Sequence, residues 1–269
     1  MIQLNGVNKS YDGGKSYAVA DASFHVDRGE FLALIGESGC GKTTTLRLIN
    51  RLEEPTSGEI QINGQNIQQQ SPELLRRNIG YVIQGVGLFP HRNVAENVAA
   101  VPQLLGWSAE RIHSRCEQIL ELVGLPLKDF GTRSPGQLSG GQQQRVGFAR
   151  ALAAEPEIIL MDEPFGALDP ITRSELQDEF DRIRKNLNVT VVMVTHDMTE
   201  ALLLADRVAV MKTGELLQIA SPSELFSNPQ HDYVQRILDL PKKRADRLET
   251  ILSGNPLHKD RTTDLNAHE

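Results

Sequence analysis

The stretch Gly36-Glu37-Ser38-Gly39-Cys40-Gly41-Lys42-Thr43 decides which fold this chain is expected to adopt. It fits the phosphate-loop pattern G-x-x-x-x-G-K-[ST]. Residues 31–35 before it read FLALI, an apolar run typical of a buried strand, and residues 43–52 after it place apolar side chains at helical spacing. A strand, a phosphate-binding loop and a helix are therefore predicted in this order.

The chemistry of this loop follows from its residue types. Its glycines allow backbone N–H groups to surround phosphate oxygens, and the helix N-terminus adds partial positive charge. Lys42 is predicted to contact the β- and γ-phosphates, and Thr43 to offer its hydroxyl to Mg²⁺. A glycine-rich turn beside a chance lysine is the alternative, which the flanking elements disfavour. The residues predicted to bind ATP here are Gly36, Glu37, Ser38, Gly39, Cys40, Gly41, Lys42, Thr43 and Thr44.

Composition narrows the class of protein. The 269 residues, 39% of them hydrophobic, suffice for one large domain or two small ones. No stretch approaches the roughly 18 apolar residues of a membrane span, and the N-terminus lacks signal-peptide features, so we expect a cytosolic protein. Cys40 and Cys116 are expected to be free thiols. The net charge of −7 argues against nucleic acid as a partner.

The chain changes character twice. Short strands dominate residues 2–83, helical periodicity dominates 94–154, and strands alternate with helices from 158 to 219. This pattern predicts an α/β fold with a mixed sheet, an N-terminal antiparallel β subdomain and a helical subdomain inserted at about 85–154. Residues 1–240 are expected to form one domain, and the charged residues 241–269 a polar C-terminal tail.

The second element for nucleotide chemistry is an apolar run that ends in an acidic residue. Residues 158–162 read IILMD, a strand that ends in a carboxylate, so Asp162 is predicted to hold Mg²⁺. The next residue, Glu163, can accept a proton from the water that attacks the γ-phosphate, or orient that water. The alternative is a solvated acidic turn before Pro164.

A third motif, Leu138-Ser139-Gly140-Gly141-Gln142, resembles the signature of ABC-transporter ATPases, and Gln143-Gln144-Arg145 extends the match. A serine hydroxyl and glycine N–H groups at a helix N-terminus can form a second anion site, although serine is also an ordinary helix cap. The resemblance implies that two copies pair head to tail. Residues Ser139, Gly140, Gly141 and Gln142 of one copy would then close over ATP held by the other.

Further matches to this family follow in its order across residues 2–240. Gln84 resembles the Q-loop glutamine, which contacts the metal and links the nucleotide site to a transmembrane partner. Ala167-Leu168-Asp169 resembles the D-loop, and His196 resembles the switch histidine that contacts the γ-phosphate. Tyr11 is placed like the aromatic residue that stacks on adenine. Each match is weak alone, and their joint order indicates the fold of the ABC ATPases.

Three stretches are similar to ATPases of importers for quaternary amines such as glycine betaine, choline and carnitine. They read GLFPH at 87–91, VPQLLGW at 101–107 and DPITR at 169–173. Because the ATPase does not touch the cargo, this interpretation rests on resemblance alone, and amino-acid or polyamine cargo stays open. Gly85 and Pro135-Gly136-Gln137 depart from the usual family residues. The tail is too short for paired regulatory domains, so ionic-strength regulation through them is not expected.

The resemblance implies the ATP-hydrolysing subunit of an importer. Two copies would lie on the cytoplasmic face of the membrane beneath a permease, which receives cargo from a substrate-binding protein. Mg²⁺, Lys42, His196 and the opposing Ser139 would neutralise phosphate charge, with Glu163 as base. A soluble ABC ATPase acting on DNA or the ribosome, and a phosphate-loop kinase, are the other classes considered. Apolar residues 86–89 are expected either in the core or in a groove for the permease.

Overall fold

The computed structural model describes residues 1–166 and 168–252. The strands are β1 (Ile2–Lys9), β2 (Val19–Val26), β3 (Phe31–Ile35), β4 (Ser57–Ile62), β5 (Gln65–Asn66), β6 (Ile79–Val82), β7 (Ile158–Asp162), β8 (Thr190–Val194), β9 (Arg207–Lys212) and β10 (Glu215–Ala220). The α-helices are α1 (Lys42–Ile49), α2 (Pro72–Arg77), α3 (Val94–Val98), α4 (Ala100–Leu104), α5 (Ala109–Leu122), α6 (Leu127–Phe130), α7 (Gly140–Leu152), α8 (Pro170–Leu187), α9 (Met198–Leu204), α10 (Pro222–Ser227) and α11 (Asp232–Leu252).

All the strands belong to one mixed sheet, in the order β5-β4-β1-β2-β10-β9-β3-β8-β7-β6. Strands β9, β3, β8, β7 and β6 run parallel, whereas β2, β1, β4 and β5 pair antiparallel at the other end. Five helices, α3 to α7, lie between β6 and β7 in the chain. The predicted α/β fold, with its antiparallel strands and its helical insertion, is confirmed. The division into domains at residue 240 stays a prediction.

The central parallel strands are mostly apolar because both of their faces are covered. Every residue of β3, β7 and β8 is buried. Successive side chains of β3 enter different cores: Phe31 packs with the cluster that contains α7 and α8, and Leu32 packs with α1 and the antiparallel strands. The two cores fix the parallel strands from both sides.

This topology brings four predicted site segments to one edge of the sheet. Strands β3, β6, β7 and β8 are parallel, so their carboxyl ends lie together. The phosphate loop follows β3, Gln84 follows β6, Glu163 follows β7, and His196 follows β8. Ligands of open α/β sheets bind at this edge.

Two local predictions differ from the structure. The sequence pattern predicts separate strands at residues 17–20 and 22–26, but β2 is continuous from Val19, and Asp21 adopts a φ of 47° within it. The first helix was expected to reach Leu52 and ends at Ile49, since Arg51 turns the backbone with a φ of 51°. The run Ser221-Pro222-Ser223-Glu224 predicts a capping box at a helix start, and the structure has this box at α10.

The start of the predicted tail is helical. Helix α11 continues through Pro241 to Leu252, and residues 253–269 lie outside the described part. The helix is anchored by Tyr233, Val234 and Leu238, which are buried at helical spacing. Proline removes one backbone hydrogen-bond donor and disfavours a helix interior. Helix α11 nevertheless continues through Pro241, after a first part that is anchored in the core. No helix of the described residues is long and apolar enough to cross a membrane.

Candidate nucleotide site

Two glycines of the phosphate loop are required by close backbone contacts. Gly36 has a φ of 150°, and a Cβ there would lie 2.1 Å from the carbonyl oxygen of Met211. Gly41, the N-cap of α1, has a φ of 105°, and its Cβ would lie 2.1 Å from the carbonyl oxygen of Ala18. The loop therefore folds tightly against β9 and the chain before β2, and larger residues would displace it.

The side chain of Lys42 closes the loop from inside. Its Nζ donates to the carbonyl oxygens of Gly36 and Glu37, both at 2.8 Å, and the residue is 6% exposed. Cys40 is also buried, with its Sγ 3.7 Å from the same Nζ. Both cysteines are free thiols, as predicted. The loop thus holds an ammonium group beside the N-terminus of α1, an arrangement suited to phosphate oxygens.

Thr43, at the end of the loop, and Asp162, at the end of β7, place their side-chain oxygens side by side. The Thr43 hydroxyl donates to Asp162 Oδ1 at 3.1 Å. Asp162 is 5% exposed, and burial raises the pKa of its carboxyl, so a cation here would relieve the cost of its charge. No cluster of three His, Cys, Asp or Glu side chains occurs in the described residues. Mg²⁺ commonly takes one or two protein oxygens plus phosphates, and this pair fits that pattern.

The carboxylate of Glu163 is held from two sides. Gln84 Nε2 donates to its Oε2 at 3.0 Å, and His196 Nδ1 lies 3.2 Å from its Oε1. Its backbone adopts a φ of 46°, and its N–H donates to Val194 O at 2.9 Å. A left-handed conformation at a residue other than glycine costs about 1–3 kcal/mol and is concentrated at functional sites. The bend after β7 therefore orients this carboxylate between two polar side chains.

The signature residues lie apart from this group. Ser139 Oγ accepts from the N–H of Gln142 at 3.3 Å, and Gln142 Oε1 accepts from the N–H of Ser139 at 3.0 Å, which caps α7. Gly141 packs on Thr172 of α8, where a Cβ would lie 2.5 Å from Thr172 Cγ2, whereas a Cβ on Gly140 would meet open space. Within the described chain, no hydrogen bond or ion pair joins residues 139–142 to the phosphate loop.

Tyr11 and Asp169 are also separate from the carboxylates. Tyr11 is 62% exposed, with Lys9 Nζ 4.8 Å from its ring centroid. Asp169 caps α8 by accepting from the N–H of Thr172 at 3.1 Å, and bonds from Thr172 lower the pKa of its carboxyl. The predicted D-loop also includes Ala167, which lies outside the described residues.

One residue against the phosphate loop was missed by the sequence analysis. The N–H of Glu37 donates to the hydroxyl of Tyr233, on α11, at 3.2 Å. Tyr233 lies 196 positions further along the chain and belongs to none of the motifs above. The sequence contains no signal for this contact.

A phosphate loop at the carboxyl edge of a parallel sheet, with a positioned carboxylate opposite it, defines a phosphate-loop ATPase. The ABC transporter family matches residues 19–166, and the chain belongs to that family. One relative is the glycine betaine/carnitine/choline transport ATP-binding protein OpuCA of Bacillus subtilis, which is 50% identical over 96% of this chain and 68% of that protein. The carnitine transport ATP-binding protein OpuCA of Listeria monocytogenes is 49% identical over 96% of this chain and 66% of that protein. The glycine betaine uptake system ATP-binding protein YehX of Escherichia coli is 50% identical over 88% of this chain and 76% of that protein.

Solved structures agree with this membership. A bacterial ABC transporter cassette solved as a dimer is 36% identical, with a TM-score of 0.73, and the match covers 82% of this chain and 99% of that one. CbiO1 of Clostridium perfringens, part of an ABC transporter complex, is 28% identical, with a TM-score of 0.78 and coverage of 92% and 98%. The predicted fold and family are confirmed by these matches.

Proposed function

We propose that this chain is the ATP-hydrolysing subunit of an ABC importer that drives uptake of a quaternary amine such as glycine betaine, choline or carnitine. The observation that carries the hydrolytic part is the Glu163 carboxylate, held between Gln84 and His196 at the edge that also bears the phosphate loop. The names of the relatives support the cargo. The chain spans 66% to 76% of the length of these relatives.

In this proposal the phosphate loop, residues 36–43 with Thr44, binds the triphosphate of ATP. Lys42 exchanges its two carbonyl partners for phosphate oxygens, which better match its charge. Tyr11 stacks on the adenine with its exposed ring. Thr43, Asp162 and Gln84 would hold Mg²⁺, which would neutralise phosphate charge when bound.

Hydrolysis needs a base for the attacking water, and Glu163 takes that role. Gln84 donates to one of its oxygens and His196 contacts the other, so the carboxylate is fixed before water arrives. Glu163 accepts the proton as the water oxygen attacks the γ-phosphorus. The bond to the β-phosphate oxygen breaks, which gives ADP and phosphate. His196 and Lys42 stabilise the charge on the transferred group.

A second copy completes each site. Among the described residues, 139–142 make no hydrogen bond or ion pair with their own phosphate loop, yet Ser139 and the N-terminus of α7 are exposed and able to bind an anion. The signature of one copy therefore closes over ATP on the other, and Asp169 lies in the D-loop at the same interface. A 35% identical relative, solved as a dimer with ADP and phosphate, supports this arrangement.

The permease docks at a groove behind Gln84. A cavity of about 390 Å³ is lined by Ile83, Phe89, Val101, Leu104 and Arg150, among others. Phe89 is 41% exposed and Leu104 is 60% exposed, while Leu88 packs against the core. An apolar groove of this kind accepts a helix from a partner protein. In this proposal the chain sits on the cytoplasmic face of the membrane, and the permease receives cargo from a substrate-binding protein.

Amino-acid or polyamine cargo is the alternative within importers, and a soluble ABC ATPase unconnected to transport is the alternative outside them. Cargo is selected by the substrate-binding protein. Comparing the affinity of that protein for glycine betaine, choline and carnitine with its affinity for methionine and spermidine distinguishes a quaternary-amine importer from an amino-acid or polyamine importer. Recovery of the chain with membranes only when the permease is present distinguishes an importer subunit from a soluble ABC ATPase.

The Glu163→Gln variant tests the hydrolytic proposal. We expect it to bind ATP, to form an ATP-dependent dimer and to lose about 10²–10⁴-fold in turnover, the usual contribution of a general base. Phosphate release and light scattering in the presence of ATP and Mg²⁺ measure both properties. Glu117→Gln, on the exposed face of α5, is the control and should behave as wild type. Near-normal turnover of Glu163→Gln would remove Glu163 from this role.

A further inference from the structure

The start of helix α11 lies directly against the phosphate loop. The hydroxyl of Tyr233 accepts a hydrogen bond from the backbone N–H of Glu37 at 3.2 Å, and the tyrosine is only 4% exposed. Glu37 is the second residue of the loop. We infer that Tyr233 is a positioning residue for ATP binding, which holds the phosphate loop in its binding conformation from the C-terminal helix.

Several contacts fix Tyr233 in place. The side chain of Gln218, buried on β10, donates to Asn228 O at 3.0 Å and accepts from Gln230 N at 2.9 Å, which anchors the chain before α11. His231 Nδ1 then accepts from the N–H of Tyr233 at 3.0 Å and caps the helix. The first turn of α11 is therefore tied to the sheet, not only to its own helix.

The ring of Tyr233 is held as firmly as its backbone. Lys212, the last residue of β9, places its Nζ 5.1 Å from the ring centroid. The neighbouring Val234 is fully buried and Leu238 nearly so, both in the core cluster with α7 and α8. A hydroxyl on a rigid ring can restrain the loop, whereas one on a mobile side chain could not.

The other contacts of the loop come from the same corner of the molecule. The carbonyl of Met211 blocks any side chain at Gly36, and the N–H of Gly214 donates to Cys40 O at 3.0 Å. The turn between β9 and β10 thus supports one side of the loop, and Tyr233 supports its start. The loop must keep its N–H groups directed at phosphate, so each restraint lowers the cost of ordering it when ATP binds.

The inference rests on the proposed ATP site and predicts a specific kinetic change. Tyr233→Phe keeps the ring, its packing and the contact with Lys212, but removes the hydroxyl. We expect the Kd and KM for ATP to rise about two- to tenfold, the worth of one hydrogen bond, with kcat at saturating ATP unchanged. A purely structural role would lower the thermal midpoint and leave KM unchanged.

Ile119→Val, buried in the same core cluster but on α5, is the control for lost packing. It removes buried packing and should lower the thermal midpoint of unfolding while the Kd for ATP stays at the wild-type value. Equilibrium titration with ATP and Mg²⁺, together with steady-state kinetics, gives all the required quantities. Wild-type Kd and KM in Tyr233→Phe would overturn the inference. Failure of the wild-type chain to bind ATP, or ATP binding that survives Lys42→Ala, would instead count against the proposed function.

Discussion

At the scale of single residues, the site brings together carboxylates in different environments. Glu163 is partly accessible and faces Gln84 and His196, while Glu200, six residues after the β8 strand, is only 6% exposed. Glu200 accepts from Gln177 Nε2 at 2.8 Å, and burial raises the pKa of its carboxyl. One carboxylate is placed for chemistry, and the other connects α8 to α9 at a cost in solvation.

The buried charge of Glu200 predicts that stability depends on pH. The pKa of the Glu200 carboxyl is higher in the folded chain than in the unfolded chain, so the charged form opposes folding. This penalty grows as the pH rises from the unfolded pKa through the folded pKa. Asp197 adds to the penalty and Arg173 reduces it. Glu200→Gln keeps an oxygen for Gln177 and removes the charge. We expect a higher thermal midpoint than wild type near pH 8, and no difference below the unfolded carboxyl pKa.

Thermal scans between pH 4 and pH 8 check this expectation. Glu121→Gln, on the exposed surface of α5, is the control and should change the midpoint by the same small amount at every pH. A gain for Glu200→Gln that is as large at pH 4 as at pH 8 would show that charge burial is not the cause.

The positions of the candidate site residues were predictable where their motifs are local in sequence. The loop from Gly36 to Thr43 and the acidic pair Asp162 and Glu163 follow buried strands, and parallel strands bring such ends together. The backbone of Glu163 was not predictable, because its φ of 46° depends on the bend after β7. Tyr233 was not predictable, because its contact with Glu37 spans 196 positions.

At the scale of elements, two helices share one kind of cap but differ in their proposed task. Ser108 Oγ accepts from the N–H of Arg111 at 3.3 Å at the start of α5, and Ser139 Oγ accepts from that of Gln142 at 3.3 Å at the start of α7. Replacing a serine cap by alanine costs about 1 kcal/mol in stability. The two positions therefore form a matched pair.

We expect Ser108→Ala and Ser139→Ala to lose similar stability, about 1 kcal/mol each, while only Ser139→Ala loses turnover, by about 10²-fold. The reason is that the Ser139 hydroxyl is proposed to contact the γ-phosphate of the opposing copy, beyond its task as a cap. Denaturant melts and phosphate release measure the two effects. Equal turnover in both variants would reduce Ser139 to a helix cap.

Elements were predictable where hydrophobic periodicity and caps agree. Strand β7 has the bounds expected from residues 158–162, the helical pattern of residues 170–187 predicts α8, and Ser221 caps α10. The errors fall where one residue overrides the pattern. Asp21 keeps β2 continuous through a left-handed backbone, and the buried face of α11 carries the helix past Pro241.

At the scale of the whole molecule, the proposed head-to-tail dimer gives each chain two half-sites. The phosphate loop, Asp162 and Glu163 lie at one edge of the sheet. Residues 139–142 present an exposed helix start, which makes no hydrogen bond or ion pair with them among the described residues. The fold of one chain could be predicted from its sequence. The proposed pairing rests on the resemblance of residues 138–142 to a family signature, which has no hydrogen bond to the phosphate loop among the described residues.

Complementation between variants tests whether the ATP site forms head to tail between two copies. All chains in this experiment carry Glu163→Gln, so that bound ATP is retained. One chain also carries Lys42→Ala, which disables its phosphate loop, and the other Ser139→Arg, which disables its signature. Each alone should retain no ATP. Mixed, they should retain one ATP per dimer, because the intact loop of the second chain meets the intact signature of the first. Retention of no ATP by the mixture, or of ATP by monomers of the parent chain, would contradict the head-to-tail site.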